Sequence, residues 1–177
     1  MRILFCTNSI GTRGGIERVT IVKANALAEM KDADGGYVNL VGIAYSDRFN
    51  FPETVHPLSP LVKTFDTEAD IWHDWNYKGL EKWTEPRRKM RKYHHELQRI
   101  VSVFRPDIII GVGQSEKFII PKLKVSWPMV RIREIHFNST YRAFSLGRQG
   151  RIGLFKWKLA DYIDYKINCH RYDRAYL

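Results

Sequence analysis

The chain has 177 residues, 44% hydrophobic and 27% charged, enough for one well-buried domain (1–177) and too few for two of ordinary size. It has no low-complexity or Pro-rich segment and no run approaching about 18 apolar residues, which argues against a disordered or membrane-spanning chain. The formal charge of +10 favours polyanions or anionic surfaces as partners and says nothing of fold.

The opening MRILFCTNSI has an apolar run too short for a signal-peptide core, so a cytoplasmic protein is expected. The two cysteines, Cys6 and Cys169, are too few for a secreted disulfide scaffold and are expected as reduced thiols. Arg2 to Thr7 is a short apolar run ending in a Gly/Asn/Ser turn, the profile of a buried parallel strand. Ile16, Val19, Val22/Lys23, Ala26, Leu27 and Met30 then recur at helical spacing until the DADGG turn stops them. Tyr37 to Tyr45 predicts a second strand and Leu61 to Phe65 a weaker third.

From Pro86 to Phe104 the stripe Met90, Tyr93/His94, Leu97, Ile100/Val101 and Phe104 predicts a long amphipathic helix closed by Pro106. Asp107 to Gly113 is the clearest buried strand, followed by a short helix over Ser115 to Lys122. Pro128 to His136 predicts another strand, and 151–167 a last helix carrying Ile152, Phe155, Leu159, Tyr162/Ile163 and Ile167. YDRAYL starts a final strand at the end of the chain, as expected of a cut at a domain boundary. Strands alternating with helices imply an α/β, Rossmann-like doubly wound fold: a mostly parallel sheet with helices on both faces.

In such sheets ligands bind beyond the carboxyl ends of the strands, where the loop Asn8 to Gly15 lies. Gly11, Gly14 and Gly15 permit positive φ and close approach of a ligand, and the next helix points its free N–H groups to the same place, so phosphate is the natural guest. The alternative is a tight strand-to-helix connection and nothing more. The spacing departs from G-x-G-x-x-G and no acidic residue closes the second strand, which makes a nicotinamide cofactor a weak expectation.

The stretch from Met1 to Met30 resembles the opening of GT-B glycosyltransferases of family 4: a strand, a loop ending GG-x-E-R and a helix rich in small apolar residues. Gly14, Gly15, Glu17 and Arg18 match that pattern. RPDIIIGVG resembles the family's P-D-hydrophobic fourth strand, and YDRAYL its last strand before the linker. The resemblance covers the whole chain as a pattern and is sharp at the N-terminus. It implies the N-terminal, acceptor-side half of a retaining, two-domain enzyme that moves a sugar from a nucleotide-sugar donor to a glycolipid or polysaccharide precursor. The C-terminal donor-binding domain would be absent from this chain, and the fragment is then expected to be inactive alone. The resemblance also implies no metal for donor binding, Gly14 and Gly15 against the donor diphosphate, and His136 just after the fifth strand near the transferred sugar. Arg13 and Glu17 join Arg133 and Glu134 as candidate acceptor contacts.

An imidazole at His136 can donate a hydrogen bond to the sugar or to the departing charge; the alternative is a histidine capping a strand end. Arg131, Arg133 and Glu134 alternate with Val130, Ile132 and Ile135 in a strand expected to be buried on both faces. Charges there are costly unless paired or opening on a cleft, so Arg133 and Glu134 contact a ligand or pair with each other. His73 and the His94–His95 pair lack a second ligand cluster at metal spacing, and no metal is expected.

Arg87, Arg88, Lys89, Arg91 and Lys92 crowd less than two turns of the long helix, opposite Met90, Leu97 and Val101. They form a solvated face or dock onto anionic lipid headgroups at the inner face of the membrane. Trp72, Trp75, Tyr77 and Trp83 in one loop, and Phe137, Tyr141 and Phe144 in another, suit sugar rings, a membrane interface, or plain loop packing. The alternative to the transferase is a free-standing basic module for nucleic acid or anionic membrane; no nucleic-acid motif is readable, which makes nucleic acid the less expected partner.

Overall fold

The computed structural model describes residues 1–46, 56–71, 77–113, 115–136 and 169–176, with positions 155, 158, 159, 162 and 163. Six strands form one sheet, β1 (Arg2–Thr7), β2 (Leu40–Tyr45), β3 (Lys63–Asp66), β4 (Ile108–Gly111), β5 (Val130–Glu134) and β6 (Arg174–Tyr176). Their order is β3-β2-β1-β4-β5-β6, and every neighbouring pair is parallel. This is the strand order of the doubly wound Rossmann sheet, which reverses direction between β1 and β4. Among the described residues, α1 (Gly15–Ala28), α2 (Glu81–Phe104) and the short α3 (Glu116–Ile119), which continues as a 3-10 turn over Ile120–Lys122, connect the strands.

Successive side chains of a strand point to opposite faces, so β1 feeds two cores. Ile3 and Phe5 join Val41, Ile43, Ile21, Ala24 and Ala28 beneath α1. Leu4 and Cys6 join Ile109, Tyr93, Leu97, Val101, Phe104 and Ile120 beneath α2 and α3. Both cysteines are free thiols, and among the described residues no helix is long and apolar enough to cross a membrane.

Several boundaries and faces differ from expectation. β2 begins at Leu40; Tyr37 instead forms an isolated antiparallel bridge with Lys31. The buried face of α1 is Thr20, Ile21, Ala24 and Ala28, while Val19, Val22 and Met30 are exposed. Small residues let the helix approach the sheet closely, and the bulkier valines turn outward.

Helix α2 starts five residues before the expected Pro86, which lies inside it. Its end fits expectation: Arg105 takes a left-handed φ of 49° and donates its N–H to the Val101 carbonyl, and Pro106 cannot continue the helix. The most buried residue of β5 is Arg133, 3% exposed, while Val130 is 42% exposed, so the strand is not buried on both faces along its whole length as expected. The aromatic positions Trp72, Trp75, Phe137, Tyr141 and Phe144, with His73, lie outside the described residues. So does most of the last expected helix, of which Phe155, Leu159 and Tyr162 are exposed.

Candidate functional site

The carboxyl ends of β1, β4 and β5 and the start of α1 enclose a cavity of about 120 Å³. It lies at the point where the strand order reverses, the expected place for a ligand in such a sheet. Thr7 and Asn8 come from the end of β1, Val112 and Gly113 from β4, and Ile16 and Glu17 from α1. Arg133, Glu134 and His136 close the side formed by β5. Four expected residues, Glu17, Arg133, Glu134 and His136, are thus brought together from segments more than a hundred positions apart.

Glu134 is the hinge of the polar network. Its Oε2 lies 2.9 Å from Lys23 Nζ on α1 and 3.2 Å from His136 Nε2. The Lys23 pair joins α1 to β5 across the rim, and the contact with His136 holds the imidazole beside the cavity without hydrogen-bond alignment. Arg133 points to the other face of the strand and donates from Nη1 to Cys169 Sγ over 3.6 Å. Adjacent strand residues face opposite ways, which is why the expected Arg133–Glu134 pair gives way to Glu134–Lys23.

Asn8 was not anticipated. Its carbonyl accepts from both the backbone N–H and the hydroxyl of Ser46, at 3.0 and 3.1 Å, tying the loop after β1 to the end of β2. Its side-chain Oδ1 is buried with no hydrogen-bond partner among the described residues. Gly113 makes room for it, since a Cβ there would stand 2.7 Å from Asn8 Oδ1. A buried acceptor without a donor is costly unless a ligand or water supplies one. Its place directly after the first strand, at the ligand edge, was the available signal.

The glycine loop is built differently from expectation. Gly14 is the N-cap of α1 with φ −68° and ψ 152°, and among the described residues only Gly35 and Gly79 are glycines with positive φ. Space, not φ, restricts Gly14: a Cβ would strike the Glu17 carboxylate, which folds back over it. Glu17 is the acidic residue of the first turn of α1, a favourable place for negative charge. Gly15 has nothing within 4 Å of its missing Cβ and remains an open surface for approach. Neither glycine lines the cavity, and neither does Arg13, which is exposed.

Beneath the cavity lies a second polar cluster. Glu116 is fully buried; Tyr93 donates to its Oε1 over 2.8 Å, and Tyr172 donates to its backbone carbonyl over 2.9 Å. Burial, and then the Glu116 charge, pushes the Cys6 thiol and the Tyr93 hydroxyl well above their ordinary values. Tyr172 is raised by the same causes and partly restrained by the Arg133 charge. These groups stay protonated and form the rigid floor on which β4 and β5 present their ends.

Among the described residues no three His, Cys, Asp or Glu side chains stand close enough together to hold a metal ion. Among the described residues, the end of β2 carries Tyr45 and the buried Ser46; Asp47 lies outside them. Around the cavity the chemistry is that of acceptors: two carboxylates and an undonated amide oxygen, with an imidazole beside them. Hydroxyl groups suit such a lining better than a diphosphate does. No family model matches the chain, and no curated protein matches it.

Proposed function

We propose that the chain is the acceptor-side domain of a retaining, GT-B-type glycosyltransferase, taking a nucleotide sugar as donor and a glycan or lipid-linked glycan precursor as acceptor. The observation that carries the proposal is the acceptor-rich cavity at the sheet's reversal point, where Asn8 Oδ1 lacks a donor and a sugar hydroxyl would supply one. Its volume, about 120 Å³, is well below the several hundred Å³ of a complete small-molecule site. That size fits half of a cleft whose other wall is a second, donor-binding domain of the same polypeptide. The GG-x-E-R resemblance supports the same reading.

In this reading Glu17, Glu134 and Asn8 accept from sugar hydroxyls, and His136 stands beside the transferred ring. Arg133 stiffens β5 from below, and Gly15 leaves the helix N-terminus approachable by the donor. The nucleotide sugar is a substrate, and the proposal assigns no resident cofactor and no metal.

The test is a transfer assay on the product of the complete reading frame, using labelled nucleotide sugars of differing base and sugar with a lipid-extract acceptor. Label moving from one donor class to a glycan or glycolipid is the expected result. If no donor is consumed while the protein remains folded, the transferase reading fails.

A further inference from the structure

The first turns of α2, Glu81 to Lys89, stand apart from the core, against which Met90 is the first side chain of the helix to pack. No residue between Glu81 and Lys92 is buried, and the helix's buried side begins at Tyr93. At 1.5 Å per residue this overhang is about 14 Å long. Because α2 follows β3 and runs back toward β4, its free N-terminal end lies at the carboxyl edge of the sheet, the edge that carries the cavity. The contact from Lys92 Nζ to the Glu68 carbonyl, just past β3, anchors it there.

The structure divides the basic cluster of this helix. Arg88 is locked onto Glu85 by three hydrogen bonds of 2.6 to 3.0 Å, Lys89 lies over the Tyr77 ring at 5.6 Å, and Lys92 is held by Glu68. Arg87 and Arg91 have no ion pair among the described residues and flank a shallow groove floored by Pro86 and Met90. On the same stripe, at spacings of three, four and four, stand Leu80, Trp83, Arg87 and Arg91. Leu80, the N-cap, is 84% exposed and Trp83 68%, both at the N-terminal end of the helix and far from Val103, which is 73% exposed near its other end.

We infer that this tip of α2 is a docking surface for an anionic lipid bilayer, with Leu80 and Trp83 entering the interface and Arg87 and Arg91 meeting headgroup phosphates. Between Lys78 and Lys92 the sequence places seven cations against two carboxylates, which matches a negative surface. A solvated helix face needs the charges and does not explain a Leu and a Trp left in water on the same stripe; interfacial helices pair the two. Docking in this pose would bring the cavity edge toward the lipid surface. The inference stands on the helix alone and does not depend on the transferase reading.

The test is co-sedimentation of the 177-residue protein with phosphatidylcholine vesicles, with and without phosphatidylglycerol. Binding to the anionic vesicles only is expected. Arg87→Gln with Arg91→Gln should lower the partition coefficient by about 30-fold, roughly fivefold per charge. Leu80→Ser with Trp83→Ser should lower it by about tenfold. Arg99→Gln makes the same kind of charge change farther along α2, at a residue paired to Glu96, and should leave binding unaltered. Thermal melts of all variants check that the fold is retained; these side chains are exposed, and no loss is expected. Equal binding to neutral vesicles, an equal response to Arg99→Gln, or indifference to the Leu80/Trp83 pair overturns the inference. So does a random oligonucleotide whose binding, unlike that of vesicles, is weakened by the arginine variants, which would assign the surface to nucleic acid.

Discussion

The hydroxyl of Tyr93 donates a 2.8 Å hydrogen bond to Oε1 of Glu116, and both side chains are fully buried. The bond ties the middle of α2 to the start of α3, directly under the ends of β1 and β4. Removing the donor leaves a buried carboxylate oxygen short of a partner, and that desolvation is costly. Tyr93→Phe, close in volume, is therefore expected to destabilise the fold by about 1–3 kcal/mol, measured by urea denaturation. A loss under about 0.5 kcal/mol, the range of an ordinary surface change, would mean that the hydrogen bond contributes nothing net.

The same floor makes stability sensitive to alkali. Cys6, Tyr93 and Tyr172 all hold their protons more tightly in the folded chain than in the unfolded one, chiefly because they are buried. Their contributions are complete below the unfolded-state values and are lost as pH rises above them. An unfolded cysteine titrates near about 8.5 and a tyrosine near about 10. Stability should therefore hold to about pH 8.5 and then fall by up to about 1.4 kcal/mol per pH unit through Cys6, more steeply once the tyrosines join. Cys6→Ala should abolish the slope between about pH 8.5 and 10, whatever it costs in packing. Denaturant midpoints across that range decide it; a slope that survives the substitution shows that another group carries it.

Much of the fold was legible because its strands are continuous apolar runs. RILFCT and the DIIIG stretch are buried on both sides and read as nothing else. The faces of the helices were not so legible. Val19 and Val22 look like core residues, yet Thr20, Ala24 and Ala28 face the sheet, because close approach rewards small side chains that hydropathy undervalues. Pro86 suggested a helix start, and the chain tolerates it inside α2 on an overhanging segment where little packing depends on it. At the site, His136, Glu134, Arg133 and Glu17 could be named from position after a strand or at a helix start. Glu116 could not: in a stretch reading QSEKF it looks like surface charge, and Tyr93, which bonds to its carboxylate, lies 23 positions earlier on another element.

Gly15 separates folding from binding. It is the first residue of α1, and the site of its missing Cβ is open. Alanine is the better helix former, so Gly15→Ala should stabilise the domain by up to about 1 kcal/mol. If the donor lies against this residue, the same methyl group should weaken nucleotide-sugar binding by the complete enzyme, seen as a raised KM with little change in kcat. A variant that melts higher and binds the donor normally would leave the loop as a connection alone.

His136 and Lys23 share the Glu134 carboxylate, at 3.2 and 2.9 Å, and their substitutions should part company. The Lys23 side chain is 45% exposed, so its ion pair is worth at most about 1 kcal/mol, and Lys23→Met should lower stability slightly and activity only a little. His136 faces the cavity and holds no hydrogen bond from Nε2 among the described residues, so His136→Ala should leave the melting temperature nearly unchanged. In the complete enzyme it should cut kcat by about a hundredfold or more, as loss of a positioned proton-carrying group does. Glu134→Gln should fall between the two, because the amide keeps the shape of the side chain and loses the ion pair with Lys23. A His136→Ala enzyme with normal kcat, or one that loses as much stability as activity, would reduce the imidazole to a structural side chain at the end of β5.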